Sequence, residues 1–122
     1  LLYRKEVKDH GEGGQLVGAP LQGKVVIIDD VITAGTAIRE CMPLIEHSPA
    51  TLAGVAISLD RLEKGRADTS ATEEISTTYQ IPVISIVNLN HLVDYLKDDA
   101  DFTENLRQMK EYRLKYAVES YR

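Results

Sequence analysis

Residues 24–40, KVVIIDDVITAGTAIRE, constrain the fold more than any other stretch of the chain. Four consecutive β-branched residues, Val25 to Ile28, favour a strand. Their lack of polar alternation predicts burial on both faces, as in a parallel sheet. Two adjacent carboxylates, Asp29 and Asp30, close that strand, and because side chains alternate they cannot both enter the core. A small-residue loop, Thr33-Ala34-Gly35-Thr36, then enters a helix that begins at Thr36. Ile38, Cys41, Met42 and Ile45 recur on one face of it at i, i+3, i+4 and i+7. Pro43 deletes one hydrogen bond within it and predicts a kink or an early end.

The same reading extends along the chain. TLAGVAISLD (51–60) is a second strand, and IPVISIV (81–87) a third with Pro82 near its start, where a missing donor is tolerated. EKGRAD makes a turn, and Ser70 with Glu73 has capping-box spacing for a helix ending at Tyr79. Asn88 is placed to cap the next helix, with Val87 and Leu92 as a hydrophobic staple. Asp101 and Glu104 repeat the capping-box spacing before a last helix, whose inward stripe is Phe102, Leu106, Met109, Tyr112 and Tyr116. Residues 4–14, RKEVKDHGEGG, are polar, Gly-rich and aperiodic and read as a mobile loop; APLQGK (19–24) is a turn. The order β-α-β-α-β-α-α defines one α/β domain over 1–122, with right-handed crossovers and a parallel sheet. Three strands are few for such a sheet. The start, LLYRKEVKDHGEGG, lacks an initiator Met and a signal-peptide core, so the expectation is of a chain that begins inside something longer.

Composition excludes several classes of function. A net charge of -5 argues against nucleic acid as a partner, because phosphate backbones are neutralised by a basic excess. The single cysteine, Cys41, cannot form an internal disulfide and suits a reducing cytoplasm. No apolar run is long enough to span a bilayer, so no membrane is expected.

In an open parallel sheet, ligands bind at the carboxyl ends of the strands, where Asp29 and Asp30 stand. Paired carboxylates there can accept hydrogen bonds from vicinal sugar hydroxyls or help to hold Mg²⁺. One turn later a helix N-terminus offers free N–H groups to an anion, with small side chains that let a phosphate approach. Together they describe a site for a ribose 5-phosphate; the plain alternative is a strand-loop-helix joint with a polar tip. GAPLQGK (18–24) imitates a P-loop, but Val25 replaces the required Ser or Thr and the match precedes its strand. A phosphoacceptor receiver domain would need a lysine at a later strand end and five strands; Asp60 is available, but VISIVN carries no lysine.

VVIIDDVITAGTA resembles the phosphoribosyl-pyrophosphate signature of type I phosphoribosyltransferases. RKEVKDHGEGG resembles the mobile catalytic loop of one branch, the orotate phosphoribosyltransferases, and ISLDRLEKG the segment whose arginine meets the orotate carboxylate. The resemblance runs from about Tyr3 to Ala117, toward the C-terminal part of that family. It implies an α/β parallel-sheet, Rossmann-like fold, incomplete at the N-terminus, with residues 1–18 as catalytic loop and 24–40 as signature. It also implies transfer of phosphoribose to orotate, giving orotidine 5′-monophosphate and pyrophosphate in pyrimidine synthesis. Asp29 and Asp30 fall where the family binds the ribose hydroxyls, and Val31, Ile32, Thr33, Ala34, Gly35, Thr36 and Ala37 where it wraps the 5-phosphate. Thr33 lies close enough to touch orotate too. Arg4, Lys5, Lys8 and His10 match loop residues that close over pyrophosphate, with Lys8 joining Asp29 and Asp30 as catalytic. Arg61 matches the orotate ligand. Mg²⁺ is expected on the substrate's pyrophosphate and not in a protein cage. A homodimer, with loop 4–14 reaching the neighbouring site, is likewise implied.

Other readings stand beside this one. A charged run next to glycines is ordinarily a solvated loop, and Arg61 alone would read as a surface arginine paired with Glu63. His47 and His91 read as helix-end and capping-turn residues, and Cys41 as core. A non-catalytic phosphoribosyl-pyrophosphate-binding module, or an inactive fragment of the enzyme, would keep the Asp29–Thr36 cradle. The RKEVKDH loop favours the enzyme, because a sensor has no evident use for closing cations.

Overall fold

The computed structural model describes residues 2–3 and 16–121. A parallel sheet is built from β3 (Gly23–Asp29), β4 (Ala50–Asp60) and β5 (Val83–Asn88) in the order β3-β4-β5. A short antiparallel pair, β1 (Leu2–Tyr3) with β2 (Leu16–Val17), precedes it; nothing in the sequence announced that pair. Helices α1 (Thr36–Glu46) and α2 (Ala71–Tyr79) connect the sheet strands, and α3 (Leu89–Leu96) and α4 (Thr103–Tyr116) follow. No described helix is long and apolar enough to cross a membrane.

Both connecting helices lie on one face of the sheet. Ile38 of α1 and Ala71 and Ile75 of α2 share a buried cluster with Ile32, Val55 and Ile57, and Ile27 and Val83 pack against it. A second cluster joins Leu62, Leu89 and Ala117, with Met109, Tyr112 and Tyr121 at its border. The C-terminal segment reaches that cluster by backbone pairing. Lys64 N–H donates to Tyr116 C=O at 2.9 Å, and Val118 N–H to Leu62 C=O at 3.0 Å.

The expectation of burial on both faces fails. Val25, Ile27 and Asp29 turn inward, but Val26 and Ile28 of β3 are 54% and 82% exposed, and Ile84 and Ile86 of β5 are 64% and 81% exposed. A run of β-branched residues reports affinity for an apolar environment, and only a second layer of structure can provide one. Among the described residues no such layer lies over this face.

Helix α1 keeps its apolar stripe, with Ile38, Met42 and Ile45 buried and Cys41 half-buried. Pro43 does not stop it: the helix runs on to Glu46, and His47 at its end donates N–H to Pro43 C=O at 3.0 Å. The Ser70–Glu73 capping box forms as expected, and Asn88 forms another with His91. Ser70 is 1% exposed, and its hydroxyl also meets that of Thr72 at 2.9 Å. Ser70→Ala should therefore lower stability by about 1–2 kcal/mol, because it removes the acceptor of Glu73 N–H and one of the two partners of the Thr72 hydroxyl. Chemical denaturation would show this as a shift in midpoint at constant slope.

The box expected at Asp101 and Glu104 does not form. Asp99 instead caps a single 3-10 turn, Ala100–Phe102, and α4 starts behind it with no side-chain cap. Glu104 is drawn away by ion pairs within α4 to Arg107. The stripe expected on α4 is only partly inward: Met109 and Tyr112 pack on the second cluster, whereas Phe102 and Tyr116 are exposed.

Candidate functional site

The carboxyl end of β3 is where the sheet stops and the chain turns into α1. Asp30 C=O is held by the N–H groups of Ser58 and Leu59 at 2.9 and 3.1 Å, which ties the loop to the central strand. Asp29 is half-buried and Asp30 exposed, so alternation separates the two carboxylates as expected. Asp29 Oδ1 accepts from Asp30 N–H at 2.9 Å, and Asp30 Oδ1 from Val31 N–H at 2.7 Å. The Val31 N–H holds the Asp30 carboxyl below the ordinary carboxylate range, helped by Asp29 and by the nearby Arg61 charge. Asp30 is therefore an anionic acceptor at neutral pH, and its side chain is exposed to a hydroxyl donor.

Beyond the acids, residues 31–38 with Asp29 line a hollow of 240 Å³. Gly35 forms the N-cap of α1 in the left-handed region, at φ 74°, and among the described residues no side chain caps this helix. The first turn holds no acidic residue. Its N–H groups and the positive end of the helix dipole thus remain directed at the hollow, the arrangement that binds a phosphate. A larger hollow of 800 Å³ lies between α1 and β3, at the outer edge of the sheet. Hydrocarbon side chains dominate its lining, and it lacks the donors of the smaller one.

Arg61 follows β4 and returns to the same corner. Its Nη2 donates to Thr33 Oγ1 at 2.9 Å, and its Nε lies 3.4 Å from Glu63 Oε1, a charge contact without hydrogen-bond geometry. Both sequence readings of Arg61 thus meet in one residue: it pairs with Glu63 and also faces the small-residue loop. Thr33, as acceptor from Arg61, keeps its own O–H to donate elsewhere. The structure brings together Asp29, Asp30, Arg61 and residues 31–37. Arg4, Lys5, Lys8 and His10 lie outside the described residues, as do the glycines 11, 13 and 14.

Sequence reasoning missed two supports of this corner. Asp60 accepts from Leu62 N–H at 2.9 Å and from the Thr72 hydroxyl at 3.0 Å, fixing the turn that aims Arg61. Leu62 sits there at φ 59°, a conformation that needs such support. The other support is Arg39, one helical turn into α1, whose Nη1 donates to Ala34 C=O. Its only sequence signal is a position four residues after Gly35. Across from it, Glu74 accepts from Arg66 and Ala67 N–H at 3.0 and 2.6 Å. Those two bonds hold its carboxyl below the ordinary range, with the Arg39 and Arg66 charges adding.

A strand-end acid pair beside a helix N-terminus on a parallel sheet fits the type I phosphoribosyltransferase fold, and comparison with known proteins agrees. The crystal structure of orotate phosphoribosyltransferase from Francisella tularensis superposes with a TM-score of 0.66 at 41% identity, covering 77% of this chain and 46% of that one. In sequence the chain is 54% identical to the orotate phosphoribosyltransferase of Nitrosospira multiformis, over 93% of its own length and 50% of the relative's. It is 56% identical to that of Pectobacterium carotovorum, over 94% and 54%. No family model matches. By sequence the chain is similar to the orotate phosphoribosyltransferases over nearly its whole length, and it spans about half the length of the curated relatives it matches.

Proposed function

We propose that this chain carries the phosphoribosyl-binding half of an orotate phosphoribosyltransferase, which joins orotate to 5-phosphoribosyl 1-pyrophosphate and releases pyrophosphate. The observation that carries the reading is a helix N-terminus, uncapped among the described residues, over a small hollow flanked by Asp29 and Asp30. Asp29 and Asp30 accept the ribose hydroxyls, while the N–H groups of residues 31–37 hold the 5-phosphate. Arg61 offers a planar fork to the orotate carboxylate, with Thr33 beside it.

In the reaction, the bond from ribose C1 to pyrophosphate oxygen breaks and a bond to an orotate nitrogen forms. The sugar passes through an oxocarbenium-like state, as in glycoside hydrolysis. Negative charge grows on the departing pyrophosphate, so the cations of loop 4–14, Lys8 above all, stabilise the transition state more than the ground state. Loss of one such contact would cost about 3 kcal/mol, or roughly a hundredfold in rate. Two adjacent carboxylates are too few for a cage, so Mg²⁺ would ride on the substrate's pyrophosphate oxygens, with Asp29 and Asp30 as the protein acids nearest in kind. When bound it would neutralise part of the leaving group's charge. The working form in this reading is a cytoplasmic homodimer in which loop 4–14 serves the neighbouring site.

The test is calorimetric titration of the chain with 5-phosphoribosyl 1-pyrophosphate and Mg²⁺, followed by orotate and a product assay. Binding is expected, and Asp30→Asn should weaken it about tenfold, as loss of a charge-assisted hydrogen bond does. Binding without turnover in the same titration would favour the non-catalytic module or the inactive fragment. Absence of binding would sink the reading.

A further inference from the structure

We propose that Arg39 is a positioning residue that locks the Ala34–Gly35 peptide in the one orientation able to receive a phosphate. The inference rests on the reading of the 31–38 hollow as a phosphate site. A trans peptide points its C=O and N–H in opposite directions. Arg39 Nη1 donates to Ala34 C=O, and Arg39 does not line the hollow. The carbonyl is thus held on the guanidinium's side, and Gly35 N–H is sent the other way, toward the hollow.

The lock is needed because of the residue that follows the peptide. A glycine adopts positive and negative φ with similar ease, so rotation of the whole 34–35 peptide is cheap in the backbone. Gly35 stands at φ 74°, and on rotation the Ala34 carbonyl would take the place of the N–H and turn its partial negative charge on the anion. One hydrogen bond from a cationic donor decides between the two states. The guanidinium is itself confined. A Cβ built on Gly35 would lie 2.7 Å from Arg39 Nη1 and 2.7 Å from Ile75 Cδ1, so the head group sits directly over Gly35 beside the core of α2. Arg39 N–H also donates to Gly35 C=O at 3.0 Å, which fixes the helical turn from which the side chain reaches back.

The experiment uses the full chain and two variants, Arg39→Met and Arg39→Lys, titrated with ribose 5-phosphate and followed by the Gly35 amide resonance. Arg39→Met keeps the stem and removes the donors; Arg39→Lys restores one donor and the charge. Ribose 5-phosphate should bind Arg39→Met about tenfold more weakly than the parent chain, and Arg39→Lys should recover most of the loss. At saturating ligand the Gly35 amide should shift in the parent and in Arg39→Lys but stay in place in Arg39→Met, at an unchanged melting temperature. A role in helix stability alone would move the melting temperature and leave that amide response intact, which would overturn the proposal. Equal affinity of the parent and Arg39→Met would overturn it too. If the parent chain itself failed to bind ribose 5-phosphate, the phosphate reading would fall first, and Arg39 with it.

Discussion

Gly35→Ala is expected to cost about 2–4 kcal/mol of stability and to abolish binding of a phosphorylated sugar. Two costs add. A non-glycine residue held at φ 74° pays about 1 kcal/mol or more for the left-handed region. The new methyl also lands 2.7 Å from Ile75 Cδ1, and Ile75 is 0% exposed in the core and cannot step aside. Such overpacking costs about 1–3 kcal/mol. Arg39 Nη1, equally close, can move because it ends a flexible chain, but moving it releases Ala34 C=O. Urea denaturation checks the first outcome and titration with ribose 5-phosphate the second. A variant as stable as the parent would mean that the loop relaxes without strain, contrary to this geometry.

Ile75→Ala should lower stability by about 2–5 kcal/mol, the range for a large aliphatic side chain removed from a core. Ile75, 0% exposed, belongs to the cluster that unites α1, α2 and the sheet, whose other buried members are Ile32, Ile38, Val55, Ile57 and Ala71. Its neighbours come from four different elements and loops, so collapse around the cavity would need several of them to shift together, and the upper part of the range applies. The check is the urea midpoint at constant slope. A loss under about 1 kcal/mol would show that the helices close over the gap. Because Ile75 also backs Gly35, its truncation should loosen the 31–37 loop as well as the fold.

Much of the architecture could be read from local patterns. The sheet strands, α1, α2 and α3 follow from apolar runs, a 3.6-residue stripe and caps at Ser70 and Asn88, all of which act within a few residues of themselves. The acid pair and small-residue loop were legible for the same reason. What escaped depends on reach. Arg39 works through a long side chain folded back on a carbonyl, and Asp60 through a hydroxyl on the following helix. At Asp101 the expected cap gave way to Asp99, whose carboxylate accepts from Asp101 N–H and caps a 3-10 turn that puts Asp101 inside it. The outward side of β3 failed for another reason: Val26 and Ile28 carry the composition of a buried strand, but burial is decided by what else is folded against them.

That outward side has a thermal consequence. Unfolding raises the heat capacity in proportion to the apolar area newly given to water, by about 12–15 cal/mol/K per residue in ordinary domains. Ile28 and Ile86 are already about four-fifths hydrated in the folded chain, at 82% and 81% exposure, and add little to that increment. The curvature of stability with temperature should be correspondingly shallow if this face stays bare in solution, which calorimetry would show as a heat-capacity increment per residue below that range. Cooling would then take away less of the driving force than from a sheet clothed on both sides.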